Sequence, residues 1–263
     1  MPSFLAAAIY RRKTLGADRI LYVVGAEQSL HFRQVFAVLK RMGYDWADQC
    51  VHLPFGLMTI DGKKMSTRRG KVVFLEDVLD EAAASALSII EGKNPGLANK
   101  EAVAEAVGVG AVVFGDLKHR RMLSVDFRIE DAVSFEGETG PYLQYTHARI
   151  RSLLRKGRYE ELRVRHAVDG GYLGSAPAWA CIRTLSRYEA AIREAVEENE
   201  PYIVAKYLLD LAKSYNRVYN SAKILGEGKD EGEISSQLAL AAAVAAVLRD
   251  GLGLLGIRAP EEM

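Results

Sequence analysis

Ile20-Leu21-Tyr22-Val23-Val24-Gly25 and, farther along, Cys50-Val51-His52-Leu53 are the stretches that decide how this chain folds. Each is a short, β-rich apolar run of the kind that forms a strand buried on both faces of a parallel sheet. Between them Phe32, Val35, Phe36, Leu39 and Met42 recur at helical spacing, with Ser29 placed to cap the helix and Gly43 to stop it. Strand, helix, strand predicts two parallel strands joined by a crossover, one half of a doubly wound α/β domain. In such sheets ligands bind beyond the carboxyl ends of the strands. That rule singles out residues 25–31 and 54–70 as the places to look for chemistry.

Beyond Val73 the pattern changes from sheet to helix. Leu79, Ala82, Ala86 and Ile90 predict one helix; Val103, Val107, Gly110, Phe114 and Leu117 predict another, with Asn99 as its cap. Val125, Phe127 and Ile129 alternate as a brief extended stretch, and Glu136-Gly137-Glu138-Thr139-Gly140-Pro141 reads as a turn. From Pro141 onward all is helix except a loop near residues 169–175. Val204, Leu208, Leu211, Tyr215, Val218, Ala222 and Leu225 form one apolar stripe, and Leu238, Ala241, Ala245, Leu248, Leu252 and Leu255 another. These stripes predict a helical bundle, with further helices starting near Pro141 and Pro177. The fold class is therefore α/β plus all-α: a partial Rossmann-like parallel sheet with its connecting helices (residues 1–130), then an α-helical bundle (131–263).

Composition narrows the setting. Of 263 residues, 49% are apolar and 26% charged, which is the balance of a globular protein. The net charge of +1 supplies no global attraction to nucleic acid, so any such contact must come from local clustering. Cys50 and Cys181 have no paired spacing, which argues against a disulfide framework or cysteine metal site and suits a reducing cytoplasm. Residues 238–248 are the most apolar run and are expected to be too short to cross a bilayer.

The chemistry concentrates in Lys64-Met65-Ser66-Thr67-Arg68-Arg69-Gly70. Mobile cations, a hydroxyl and a flanking glycine suit a polyphosphate, although the charges alone read by default as a solvated turn. In sequence this string resembles the Lys-Met-Ser-Lys-Ser signature of class I aminoacyl-tRNA synthetases, and its extension through Phe74-Leu75-Glu76-Asp77 is similar to arginyl-tRNA synthetases in particular. The second lysine of the signature is Thr67 here, with Arg68, Arg69 or Lys71 available in its place. Val23 to Phe32 and Phe135 to Arg149 resemble the same family, and so does the chain's final segment.

The resemblance implies an enzyme that uses ATP with Mg²⁺ to join arginine to its tRNA through arginyl-adenylate, with no tightly bound metal, acting as a cytoplasmic monomer without a membrane partner. It implies catalytic roles for Lys64, which would neutralise phosphoryl charge, and for Ser66, which would add a hydrogen bond. It assigns ATP contacts to His31, Met58, Lys64, Met65, Ser66 and Arg68, and arginine binding to Gln28. A helical anticodon-binding domain would contact tRNA through Tyr142, Gln144, Arg151, Arg155, Tyr219 and Met263, with cations on phosphates and aromatics on unpaired bases. The His-Ile-Gly-His-type signature that grips ATP opposite the lysine loop has no counterpart in this sequence. The expectation is a C-terminal portion of the enzyme, inactive alone, or else a stand-alone tRNA-binding module derived from it.

Overall fold

The computed structural model describes residues 2–60, 63–64, 74–221, 223–226 and 228–263. They divide into two compact units, Met1–Lys64 with Arg120–Asp126, and Met65–His119 with Phe127–Met263.

The first unit carries the parallel sheet. Helix α1 (Pro2–Lys13) precedes strand β1 (Ile20–Gly25), helix α2 (Ser29–Arg41) crosses over, and β2 (Cys50–Phe55) returns parallel to β1 in a register that pairs Ile20 with Cys50 and Gly25 with Phe55. One face is filled by Ile20, Tyr22, Phe32, Val35 and Leu39. The apolar sequence runs correctly located both strands. Full burial on both faces was not realised, because Leu21 is 45% and Val23 65% exposed. Ser29 is the first residue of α2 and not its cap: after a 3₁₀ turn over Ala26–Gln28, its hydroxyl donates to the Ala26 carbonyl at 2.6 Å. A small second sheet of β3 (Met58–Ile60), β4 (Lys63–Lys64) and β5 (Val125–Phe127) runs in the order β4-β3-β5.

The second unit is helical. α3 (Leu75–Lys93) and α4 (Lys100–Leu117) form an antiparallel pair whose shared core includes Ala86, Ile90, Ala104 and Val107. They lie so close that a Cβ at Gly108 would sit 2.4 Å from the Ala83 backbone nitrogen, a position only glycine tolerates. Val78, rather than the expected Leu79, takes the buried position on α3. Asn99 stands at the N-terminal boundary of α4 but in the left-handed region and without a capping bond.

Short α5 (Ile129–Ala132) leads into α6 (Gly140–Lys156), α7 (Tyr159–Arg165), α8 (Ala176–Leu185), α9 (Tyr188–Glu198), α10 (Pro201–Ser221) and α11 (Glu231–Leu254). The expected starts near Pro141 and Pro177 are found, each with its proline in the first turn. Thr139 caps α6 by accepting from the Tyr142 amide at 3.1 Å. The stripe of α10 ends early. Ala222 lies outside the described residues, and Leu225 falls beyond the helix.

Leu208, Leu211, Tyr215, Leu238, Leu248 and Leu252 form the centre of the bundle at full burial, each such side chain adding roughly 1.5–3 kcal/mol of transfer free energy. α11 corrects the expectation for the 238–248 run: at 24 residues it is long and apolar enough, by length and composition, to cross a membrane. Its buried row through Leu238, Ala241, Val244, Ala245 and Leu248 is that of a bundle's core helix.

Candidate functional site

In the first unit, the end of β1 runs directly into Gln28, exposed at the N-terminal boundary of α2, and His31 follows on its first turn. The His31 ring is wedged edge-on against Phe4 at 4.8 Å and Phe32 at 5.5 Å, and its buried Nε2 has no partner among the described residues. His52 lies on β2, stacked on Phe32 at 4.6 Å, with its Nε2 2.9 Å from the Val24 carbonyl. Met58 opens β3 half-buried.

The β2 to β3 turn is clasped by residues 120–126. The Gly56 amide donates to the Arg121 carbonyl at 2.7 Å, Arg121 Nη1 donates to the Pro54 carbonyl at 2.9 Å, and a Cβ on Gly56 would meet the Leu123 carbonyl oxygen at 2.4 Å. Gln28, His31 and Met58 thus all lie at or just past a strand's carboxyl end or in the segment that follows it. Lys64 has its backbone in β4, paired with Thr59. Met65, Ser66 and Arg68, together with Thr67 and Arg69, fall outside the described residues.

In the second unit, α6 and α10 build a ladder of rings and cations. Lys93 Nζ sits 5.1 Å from the centre of the Phe135 ring, Phe135 meets Tyr145 edge-on at 6.1 Å, and the Arg149 guanidinium lies 6.0 Å from Tyr145 and 4.4 Å from Tyr219. Arg149 also donates to Asn216 Oδ1, and Asn216 Nδ2 donates to the Tyr142 hydroxyl at 2.7 Å. Tyr145 and Arg149 are spaced i, i+4 on α6, so helical geometry puts them on one face. Tyr142 and Tyr219, each assigned to tRNA by the resemblance, are connected indirectly, through Asn216 and Arg149. Arg149 and Asn216, which link them, were not singled out in the sequence, where Arg149 ended a quoted motif and Asn216 was one polar residue among several on its helix.

The tail after α11 engages residues that the resemblance assigned to tRNA, and for Gln144 it overturns the assignment. Gln144 is completely buried, with its Nε2 donating to the Ala106 carbonyl at 3.0 Å and to the Arg258 carbonyl at 2.7 Å, so its amide is committed inside the fold and offers nothing to RNA. Arg151 pairs with Glu261, and Arg155 with Glu262 at 2.8 Å, so this stripe is answered by the chain's own carboxylates. Met263 is not a loose end: it packs against the α3–α4 core, and its carbonyl accepts from Asn94 Nδ2 at 3.2 Å. Buried His147 places Nδ1 2.9 Å from the Pro260 carbonyl, and burial pulls its pKa below 6.5 against the raising effect of that carbonyl. Arg158, just past α6, precedes α7 and pairs with Glu161.

A family model described as "tRNA synthetases class I (R), catalytic domain" matches residues 2–129, and one described as "DALR anticodon binding domain" matches 143–263. A protein named arginine--tRNA ligase from Lactiplantibacillus plantarum is 52% identical over 259 residues, 98% of this chain. The chain belongs to the arginyl-tRNA synthetase family. The arginine--tRNA ligase 2 of Bacillus anthracis is 49% identical over the same length. Among solved structures, the Thermus thermophilus arginyl-tRNA synthetase superposes with a TM-score of 0.84 at 36% identity, covering 94% of this chain and 41% of that one. The chain spans 45% of the length of the curated family members it matches. The expected fold class holds: part of a class I catalytic domain, then a helical anticodon-binding domain.

Proposed function

We propose that this chain is the C-terminal part of an arginyl-tRNA synthetase, dividing near residue 130 between a partial catalytic domain and an anticodon-binding domain. In the complete enzyme it would help form arginyl-adenylate from ATP, Mg²⁺ and arginine and direct its transfer to arginine tRNA in the cytoplasm. The observation that carries the tRNA reading is the ladder of Phe135, Tyr145, Arg149 and Tyr219. Rings alternate with a guanidinium on one face, and Tyr145 is 40% exposed. Unpaired bases of an RNA loop stack on such surfaces, each stack adding about 1–3 kcal/mol. In this reading Tyr142 and Tyr219 receive the anticodon loop with Arg149 and Asn216 as their support. Arg151 and Arg155 reach phosphates only by exchanging their ties to Glu261 and Glu262.

For the nucleotide, the orphaned Nε2 of His31 and the exposed amide of Gln28 supply hydrogen-bonding groups that fit a nucleotide and a guanidinium substrate. Lys64 would neutralise the charge developing on the phosphates, Ser66 would hydrogen-bond to them, and Mg²⁺ would arrive on the ATP phosphates themselves.

Filter binding of arginine tRNA to the 263-residue chain tests the ladder: Tyr219→Ala weakens binding about tenfold or more, the loss of one stacked base. Unchanged affinity in that variant removes the ladder from the tRNA interface. The purified chain with ATP, arginine and tRNA gives no pyrophosphate exchange above blank. Exchange clearly above blank overturns the assignment of the remaining ATP-gripping residues to the longer enzyme.

A further inference from the structure

Helices α8 and α10 pack side by side and leave a surface groove of about 430 Å³. Arg183 and Arg187 line one side, Lys213 and Arg217 the other, with Asp210 the one carboxylate in the lining. Lys213 and Arg217 are spaced i, i+4 on α10, a separation at which like charges on a helix repel, whereas Arg187 stands just past the end of α8, at the N-terminal boundary of α9. Four cations facing one groove concentrate positive potential there.

Elsewhere on this unit several cations are answered: Arg151 by Glu261, Arg155 by Glu262, Arg163 by Glu160 and Arg193 by Glu189. At the groove the nearby carboxylates are already engaged, Asp210 with Lys206 at 3.1 Å and Glu138 with Lys213 at 2.6 Å. Arg183, Arg187 and Arg217 are exposed and have no ion-pair partner among the described residues. Three unanswered guanidinium forks around one concavity match the geometry of phosphate oxygens, which a fork grips bidentately. α10 supplies both this groove and the base ladder, because Arg217 directly follows Asn216 and lies half a turn before Tyr219.

We propose that the α8–α10 groove is a phosphate-binding track for the tRNA backbone that flanks the loop stacked on the ladder. The assignment rests on the tRNA reading above and extends it to side chains outside every motif of the sequence. The groove adds electrostatic affinity without base selectivity.

The test measures binding of arginine tRNA and of an unrelated RNA hairpin to the 263-residue chain across a salt series. For Arg183→Gln with Arg217→Gln, binding of both RNAs weakens about tenfold at 0.1 M salt, and the log affinity versus log salt slope becomes shallower by about two. Arg193→Gln, on α9 and paired with Glu189, leaves both quantities unchanged. The melting temperature of the double variant does not fall, since repulsion is removed, so weaker binding cannot be blamed on unfolding. If the double variant matches the wild type while Tyr219→Ala loses arginine tRNA, the groove is wrong and the ladder stands. If the double variant weakens both RNAs while Tyr219→Ala changes nothing, the groove stands as a general RNA track and the ladder reading falls. Wild-type chain that binds neither RNA overturns both.

Discussion

Gln144 and His147 show how a residue's partners can reverse its apparent role. Both lie in a motif rich in polar and aromatic residues, and both turn inward to hold the main chain at Arg258 and Pro260. Gln144→Ala removes two buried donors and leaves the Arg258 carbonyl without its partner, while the Ala106 carbonyl keeps its place in the α4 ladder, so urea unfolding registers a loss of about 1–2 kcal/mol. For His147 the folded pKa lies below the unfolded value of 6.5 because burial penalises the cation. The unfolded chain therefore binds more protons in the window beneath 6.5. The stability contributed by the neutral ring is fully present above that pH, falls as pH drops through it, and stops falling once the folded pKa is passed. The difference in unfolding free energy between wild type and His147→Gln, followed from pH 7.5 to 5, shrinks on the acid side; a constant difference refutes this assignment. Sequence alone could not distinguish an inward Gln144 from an outward one, because the two carbonyls it serves lie 38 and 114 residues away.

At the scale of elements, periodicity was the most legible signal and capping the least. Both parallel strands, the crossover helix and the two long bundle helices follow from apolar spacing. Ser29 and Asn99 look like caps, yet neither makes a capping bond. Thr139 is the residue that does cap, accepting from Tyr142 and donating to the Ser134 carbonyl at 2.5 Å. Thr139→Ala costs about 1–2 kcal/mol in urea melts. It also loosens the first turn that carries Tyr142, so its effect on tRNA binding exceeds its modest cost to the fold. Tyr207, whose pKa burial pushes up to about 12, donates to the Thr184 carbonyl at 3.0 Å near the end of α8. Tyr207→Phe keeps the packing and loses that bond, a change of about 1 kcal/mol by thermal or chemical unfolding. A larger loss, or none, contradicts this bookkeeping.

For the whole molecule, each unit has its own core, and the cores differ greatly in size. The parallel sheet rests on a small cluster around Phe32 and leaves Leu21 and Val23 open, whereas the bundle centres on an extended cluster through α6, α8, α10 and α11. Two strands with one covered face are marginal in water. Amides of Ile20–Gly25 accordingly exchange hydrogen well before those of α10, and a native-state exchange series showing equal protection rules out the difference. The family's catalytic half was legible here as two family-like strings, of which Val23 to Phe32 follows the end of β1 while residues 65–70 lie outside the described residues. In the helical unit Phe135 to Arg149 was legible as a family-like segment, but the ladder was not, because its order depends on which α10 side chains meet α6. The tail after α11 adds a final consequence. Residues 258–263 are held through backbone carbonyls, ion pairs and a terminal side chain, much as a host holds a guest peptide. The covalent tether supplies the local concentration, so a free peptide of that sequence would be a poor substitute for it.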